Sequence, residues 1–146
     1  MQPDPKPVKQ GKKRKVYISP VKAGNQVRLE HEVMNLWIQA VLKRDGYRCR
    51  VILPGGTRCK GRATQAHHVH RRSYRNTRWD VDNGLGLCSF HHLEDLGNLK
   101  ENTIGAIGLD EYERLRVKAH APKGLIDIEE IKSGLLEITY KTEEET

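Results

Sequence analysis

The sequence predicts an α+β fold with one small core, and three observations carry that expectation. Val27, Leu29, Val33, Leu36, Trp37, Val41 and Leu42 recur mostly at spacings of three and four, the pattern of an amphipathic helix. Between 47 and 64, Cys49 and Cys59 flank Pro54-Gly55-Gly56, which reads as a loop or tight hairpin. Helical spacing returns near 109–119 and 126–135, followed by a strand-like run from Leu136 to Tyr140. Only 36% of the 146 residues are AVILMFWYC, enough for one core and not two.

The elements divide the chain into three stretches. Residues 1–26 hold Pro3, Pro5, Pro7 and Pro20, the run Lys12-Lys13-Arg14-Lys15, and few apolar groups. Such a stretch does not bury enough surface to offset ordering entropy, so a disordered basic arm is expected. Residues 27–100 begin with the amphipathic helix, which Gly46 is placed to cap after Arg44-Asp45. Residues 101–146 form an acidic C-terminal extension, expected to be helical with a short strand.

Charge follows the same division. The chain carries +7, but residues 1–60 carry +10 and residues 101–146 carry −5. A basic front suggests a polyanionic partner, with DNA the usual candidate, or else a solubility tail. The acidic region suits contact with a protein partner. No apolar run approaches the roughly 20 residues of a membrane span, and no signal-peptide pattern is visible. Three cysteines are an odd number and too few for a disulfide scaffold, so a cytoplasmic, reducing location is expected.

Those cysteines have a more specific reading. Cys88-Ser89-Phe90-His91 is a compact pair whose two ligands can turn toward one ion. With Cys49 and Cys59 it completes a Cys₃His set suited to tetrahedral structural zinc. The competing reading is buried cysteines acting as small apolar groups. A core this small favours the metal, which would staple it.

Five of the seven histidines fall between 65 and 100, at His67, His68, His70, His91 and His92. Neighbours in a strand point to opposite faces, so His67 and His68 cannot share one task. If His91 is spent on zinc, His92 is free to bind something else.

Taken together, three runs carry a resemblance. They are Arg44-Asp45-Gly46-Tyr47-Arg48-Cys49, Cys59 followed by Gly61-Arg62-Ala63-Thr64-Gln65-Ala66-His67-His68-Val69, and Asp82-Asn83-Gly84-Leu85 leading to Leu87-Cys88 and His91-His92. In order and spacing they resemble the HNH endonucleases, most closely those found in phage genomes, over roughly residues 40–98. The resemblance implies a ββα-metal core, a two-stranded hairpin packed on a helix with one catalytic divalent cation (Mg, Mn, Ni or Zn) between them. It implies that His68 is the general base, that His67 and His92 bind the catalytic metal, and that Asn83 braces the loop and orients the base. Cys49, Cys59, Cys88 and His91 match the structural zinc set. Many relatives carry Cys where His91 stands, and some a further His where Leu96 stands, so only two protein ligands are implied for the catalytic ion.

The implied chemistry is sound on its own terms. Phosphodiester hydrolysis needs a proton acceptor for water, which a neutral imidazole supplies near pH 7. It also needs positive charge on the phosphoryl and leaving oxygens, which a divalent ion supplies. Arg71, Arg72, Arg75 and Arg78 lie between the expected base and Asn83 and could grip phosphates, or form a solvated basic loop. Tyr74 and Trp79 could stack on bases, though core packing suits Trp79 better. The expected substrate is duplex DNA. Two other functions compete: a zinc-stabilised DNA-binding module, and a phage recombination or packaging factor acting with a partner protein. A zinc deaminase is disfavoured, since its His-x-Glu pairing fails at His68-Val69-His70.

Overall fold

Helix α1 spans Pro20–Arg44 and turns Val33, Trp37, Ala40 and Val41 inward along one face. The computed structural model describes residues 20–141. Residues 20–26, expected within the disordered arm, are helical. Proline suits a first helical position because its φ is already helical and its missing N–H is not needed there. The rest of that stretch, including Lys12–Lys15, lies outside the described residues. Gly46 ends the helix with a φ of 63°. The Gly46 N–H donates to Lys43 O at 3.0 Å and the Tyr47 N–H to Leu42 O at 2.9 Å, closing the last turn by the Schellman pattern.

The chain then forms the expected hairpin. Arg48 pairs with Arg62 and Ile52 with Arg58, and Gly55 and Gly56 take the positive φ values of 98° and 90° that the reversal requires. Strand β1 (Gln65–His68) runs antiparallel to β2 (Gly84–Leu87), with Gln65 opposite Leu87 and His68 opposite Gly84. A π-helical turn at Phe90–Glu94 follows β2. Helices α2 (Leu99–Ile107), α3 (Leu109–His120) and α4 (Ile128–Tyr140) complete the order.

The sheet lies directly on α1, and Gly84 permits it. A Cβ at Gly84 would press into Val41 and come within 2.9 Å of Trp37 Cζ2. Gly84→Ala should therefore destabilise by about 1–3 kcal/mol, the usual cost of overpacking. Thermal melting checks this, with Gly97→Ala as a control expected to melt like the wild type because nothing lies within 4 Å of that position.

Asp45 ties the helix end to sheet and hairpin. It is 5% exposed, pairs with Arg44 at 2.8 Å and Arg50 at 3.0 Å, and accepts the Gly86 N–H at 2.8 Å. Burial opposes its ionisation. The Arg44 hydrogen bond, the Gly86 N–H and the neighbouring guanidinium charges outweigh that and hold its carboxyl below the ordinary aspartate value. The unfolded chain thus takes up this proton first as pH falls. The contribution to stability is complete above the ordinary aspartate pKa of about 3.9 and is lost as pH drops from there through the lower folded value. Asp45→Asn should flatten the acid limb of a stability–pH curve.

Helix α4 corrects one expectation. Leu136–Tyr140 is not a strand but the last part of α4. The Asp127 side chain accepts from the Glu129 and Glu130 N–H groups and starts the helix. Leu135 and Thr139, four apart, then turn inward together. Leu135 shares a core cluster with Val33, Trp37, Val41 and Trp79. Lys43 Nζ donates to Thr139 O at 2.6 Å. Helix α4 therefore packs onto α1 and shares its core. No helix among the described residues is long and apolar enough to cross a membrane.

Candidate metal centre and catalytic cleft

The hairpin and the turn after β2 bring four separated residues to one point. The ligand atoms of Cys49, Cys59, Cys88 and His91 all lie within 4.8 Å of one another, and all four atoms are buried. His91 Nδ1 is 3.4 Å from Cys49 Sγ and 3.3 Å from Cys88 Sγ. Tetrahedral zinc, with bonds of about 2.3 Å to sulfur and 2.0–2.1 Å to nitrogen, places such atoms roughly 3.5–3.8 Å apart. The Gly61 N–H points at Cys59 Sγ at 3.3 Å. A Cβ on Gly61 would meet Cys88 Cβ at 3.0 Å, so glycine lets the two halves close. Burial and the neighbouring Cys88 push the Cys49 thiol up to about 11. A cation is what makes thiolates tolerable in such a place. This group can hold a metal ion.

His67 and His68 leave β1 in opposite directions. The His67 ring meets the His92 ring edge-on, with centroids 5.8 Å apart. His92 Nδ1 is buried and has no hydrogen-bond partner. A buried polar atom without a partner is costly unless something else satisfies it, and a neutral imidazole nitrogen is a ligand that suits a divalent ion. Burial, with the nearby His92 and His68, lowers the His67 pKa to about 4, so its ring is neutral and able to ligate.

The His68 ring lies flat on Trp37, with centroids 4.0 Å apart and an interplanar angle of 11°. Its Nε2 is 2.9 Å from the Arg78 carbonyl. A carbonyl only accepts, so Nε2 carries the proton and Nδ1 is the acceptor. Burial holds His68 below the ordinary imidazole pKa. The Arg78 carbonyl opposes that, and the Arg72 and Arg78 charges add to it. The neutral, proton-accepting form therefore prevails at pH 7.

Asn83 is fully buried, immediately before β2. Its Oδ1 accepts from the His70 N–H at 2.9 Å, and its Nδ2 donates to His70 O at 3.0 Å and Thr77 O at 3.1 Å. It braces the loop through backbone groups. It does not hydrogen-bond an imidazole; the Arg78 carbonyl, at the far end of the same loop, does that. His70 is 8% exposed, with Nε2 donating to Tyr112 O at 2.9 Å. That fixes it to α3.

The four arginines separate into two pairs. Arg71 and Arg72 are exposed. Arg71 lines a cleft of about 380 Å³ together with His67, His68, Leu96, Lys100 and Tyr112. Arg75 and Arg78 turn instead to Glu30, at 3.5 and 3.8 Å, and lie over the Trp79 ring. Tyr74 packs against His120, and Trp79 is buried in the core. Three contributors escaped the sequence reading: Trp37 beneath His68, Lys100 in the cleft, and Asp45 behind the sheet. Trp37 belonged to an apolar stripe, and Lys100 follows no motif. Asp45 had a signal, a lone acid between Arg44 and Gly46.

Comparison of the chain with protein-family models, with curated proteins and with solved structures finds no match in any of the three.

Proposed function

We propose that the chain is a metal-dependent endonuclease of the HNH type, hydrolysing phosphodiester bonds in duplex DNA. One observation carries the reading. His67 and His92 face each other, with a buried and unpartnered nitrogen on His92, beside His68 whose tautomer leaves Nδ1 as acceptor. His67 and His92 would hold a divalent ion (Mg, Mn, Ni or Zn), which supplies positive charge to the phosphoryl and departing oxygens.

The chain's own residues perform the rest. His68 Nδ1 takes the proton from a water whose oxygen forms the new bond to phosphorus, while the bond to the leaving sugar oxygen breaks. The Arg78 carbonyl and the Trp37 ring hold the imidazole in one tautomer and plane. Arg71 and Lys100 line the same cleft and provide cations for phosphate. Asn83 keeps the 70–77 loop closed and so keeps the Arg78 carbonyl in place. Zinc on Cys49, Cys59, Cys88 and His91 would be structural, with four protein ligands and no open position for water.

Supercoiled plasmid incubated with the protein and Mg, Mn, Ni or Zn salts tests the proposal. Relaxed or linear product with at least one metal is expected. Salt-sensitive DNA binding without product under any metal would replace it with the zinc-stabilised binding module.

A further inference from the structure

The hairpin that carries Cys49 and Cys59 has a second face, turned away from the metal group. Residues 46–64 hold five Lys or Arg and no Asp or Glu. The two bridges, Arg48 with Arg62 and Ile52 with Arg58, keep equal spacing on both arms, so Arg50 lies opposite Lys60. Strand alternation then sends Cys49, Val51 and Cys59 to one face and all five cations to the other. Their hydrogen bonds agree. The Arg48 guanidinium donates to Arg58 O at 2.9 Å and Cys59 O at 3.0 Å, and the Arg58 guanidinium to Arg48 O at 2.7 Å and Cys49 O at 3.0 Å. Arg50 pairs with the buried Asp45 at 3.0 Å. Among the described residues, Arg48, Arg58, Lys60 and Arg62 make no ion pair. Glu94 and Asp95, beyond the turn that delivers His91, reach none of them; Asp95 accepts from Asn98 and Asn102 instead.

Like charges directly opposite each other destabilise a strand pair, and here two such pairs follow one another. Backbone carbonyls hold the Arg48 and Arg58 guanidinium groups in place without neutralising them. The repulsion is relieved by a partner that brings several negative charges at once. The core of a protein–protein contact is depleted of charge, whereas a nucleic-acid backbone is a regular row of phosphates. We propose that this face of the hairpin is a second phosphate-binding surface, which holds the duplex backbone beside the cleft of His67 and His68. The arm bearing Arg62 runs on into β1, and Arg62 and His67 are five residues apart in sequence. Their Cα atoms are therefore at most about 17 Å apart, roughly five base pairs of rise along a duplex. One duplex can touch both. That the backbone is that of duplex DNA rests on the endonuclease reading; the phosphate chemistry does not.

Anisotropy of a labelled duplex, titrated with the zinc-loaded chain over a range of salt and without catalytic metal, tests the surface. The double variant Lys60→Ala with Arg62→Ala removes two charges whose side chains make no hydrogen bond among the described residues, so melting and bound zinc should be unchanged. Affinity should fall about tenfold, and the slope of log affinity against log salt should be shallower by about two, one for each lost phosphate contact. The loss should be equal on unrelated sequences, since phosphate contacts carry no sequence information. Arg116→Ala with Lys123→Ala, which removes the same charge from exposed positions on and after α3, should leave the slope unchanged. Lys60→Arg with Arg62→Lys keeps both charges and should bind like the wild type. With catalytic metal and saturating DNA, the alanine variant should cut within about threefold of the wild-type rate, because only ground-state binding is lost. Wild-type affinity and slope in the alanine variant, or an equal loss in the control, overturns the surface and leaves the nuclease standing if product forms. Loss of affinity in the charge-keeping swap overturns it too, since shape and not charge would then be at work. A loss confined to the alanine variant, with no product under any metal, overturns the nuclease and leaves the surface.

Discussion

His68→Ala should lose DNA cleavage by about 10²–10⁴-fold, the usual worth of a general base, while keeping the fold, bound zinc and DNA affinity. The expectation that the fold survives follows from how the ring is held. It rests on Trp37 and gives one hydrogen bond to the Arg78 carbonyl, and the pairing of Asn83 with His70 and Thr77 stays intact without it. Added metal should not restore the rate, because the missing function is proton acceptance. His92→Ala should also be slow, but partly rescued by raised metal concentration, since His67 would still offer one nitrogen. His70→Ala separates chemistry from structure: it should lower the melting temperature by cutting the tie to Tyr112 while activity in the folded fraction persists.

The pH profile supplies a second readout with a definite sign. His68 must be neutral to accept a proton, so activity falls on acidification. Burial, with Arg72 and Arg78 adding, holds its pKa below the ordinary imidazole value against the pull of the Arg78 carbonyl. The midpoint of the acid limb should therefore lie below about 6.5. A midpoint above that value, or a cleaving His68→Ala, would move the base elsewhere.

Features governed by neighbouring residues were legible in the sequence. Gly46 after Arg44-Asp45 ends α1 with the positive φ that glycine allows. Pro54-Gly55-Gly56 reverses the hairpin, and Cys88 with His91, three apart on one turn, reach a common point. Strand alternation separates His67 from His68 as expected. What was illegible depends on distant partners. Ile138 and Tyr140 have strand-like propensity, but that segment packs against a helix, α1, and the Asp127 cap commits it to helix. Arg75 and Arg78 look like phosphate ligands beside Arg71 and Arg72, yet Glu30 on α1 claims them. The alternation rule also places His70 with His68, but β1 stops at His68, and the chain turns His70 toward α3.

Removing metal from the cysteine group should have the largest effect on the fold. Protein purified without added metal should contain close to one zinc per chain. A strong chelator, or Cys59→Ser, should release it and collapse the melting transition. Magnitudes explain why collapse rather than loosening is expected. Structural zinc contributes about 10–16 kcal/mol in small zinc-binding peptides at neutral pH, whereas whole domains are stable by only about 5–15 kcal/mol. The second core cluster here is small, built on Cys49, Val51, Leu85 and Leu87, and two of its packing neighbours are Cys59 and Cys88. Loss of the ion would leave buried thiols in place of ligands, with Leu85 and Leu87 of β2 no longer clamped from the hairpin side. Because β2 pairs with β1, the positions of His67 and His68 should fail with it, so DNA cleavage should stop when zinc leaves even with catalytic metal in excess. Acid should have the same effect as chelator. The Cys49 thiol is pushed up to about 11 by burial, so protons compete strongly for the site and zinc should be released as pH falls. If the cysteines were only apolar filler, purified protein would hold no metal. Cys49→Ala would then cost about 1 kcal/mol, as for a small core truncation, and chelator would leave the melting curve unchanged. Metal analysis with paired melts, with and without chelator, separates the two.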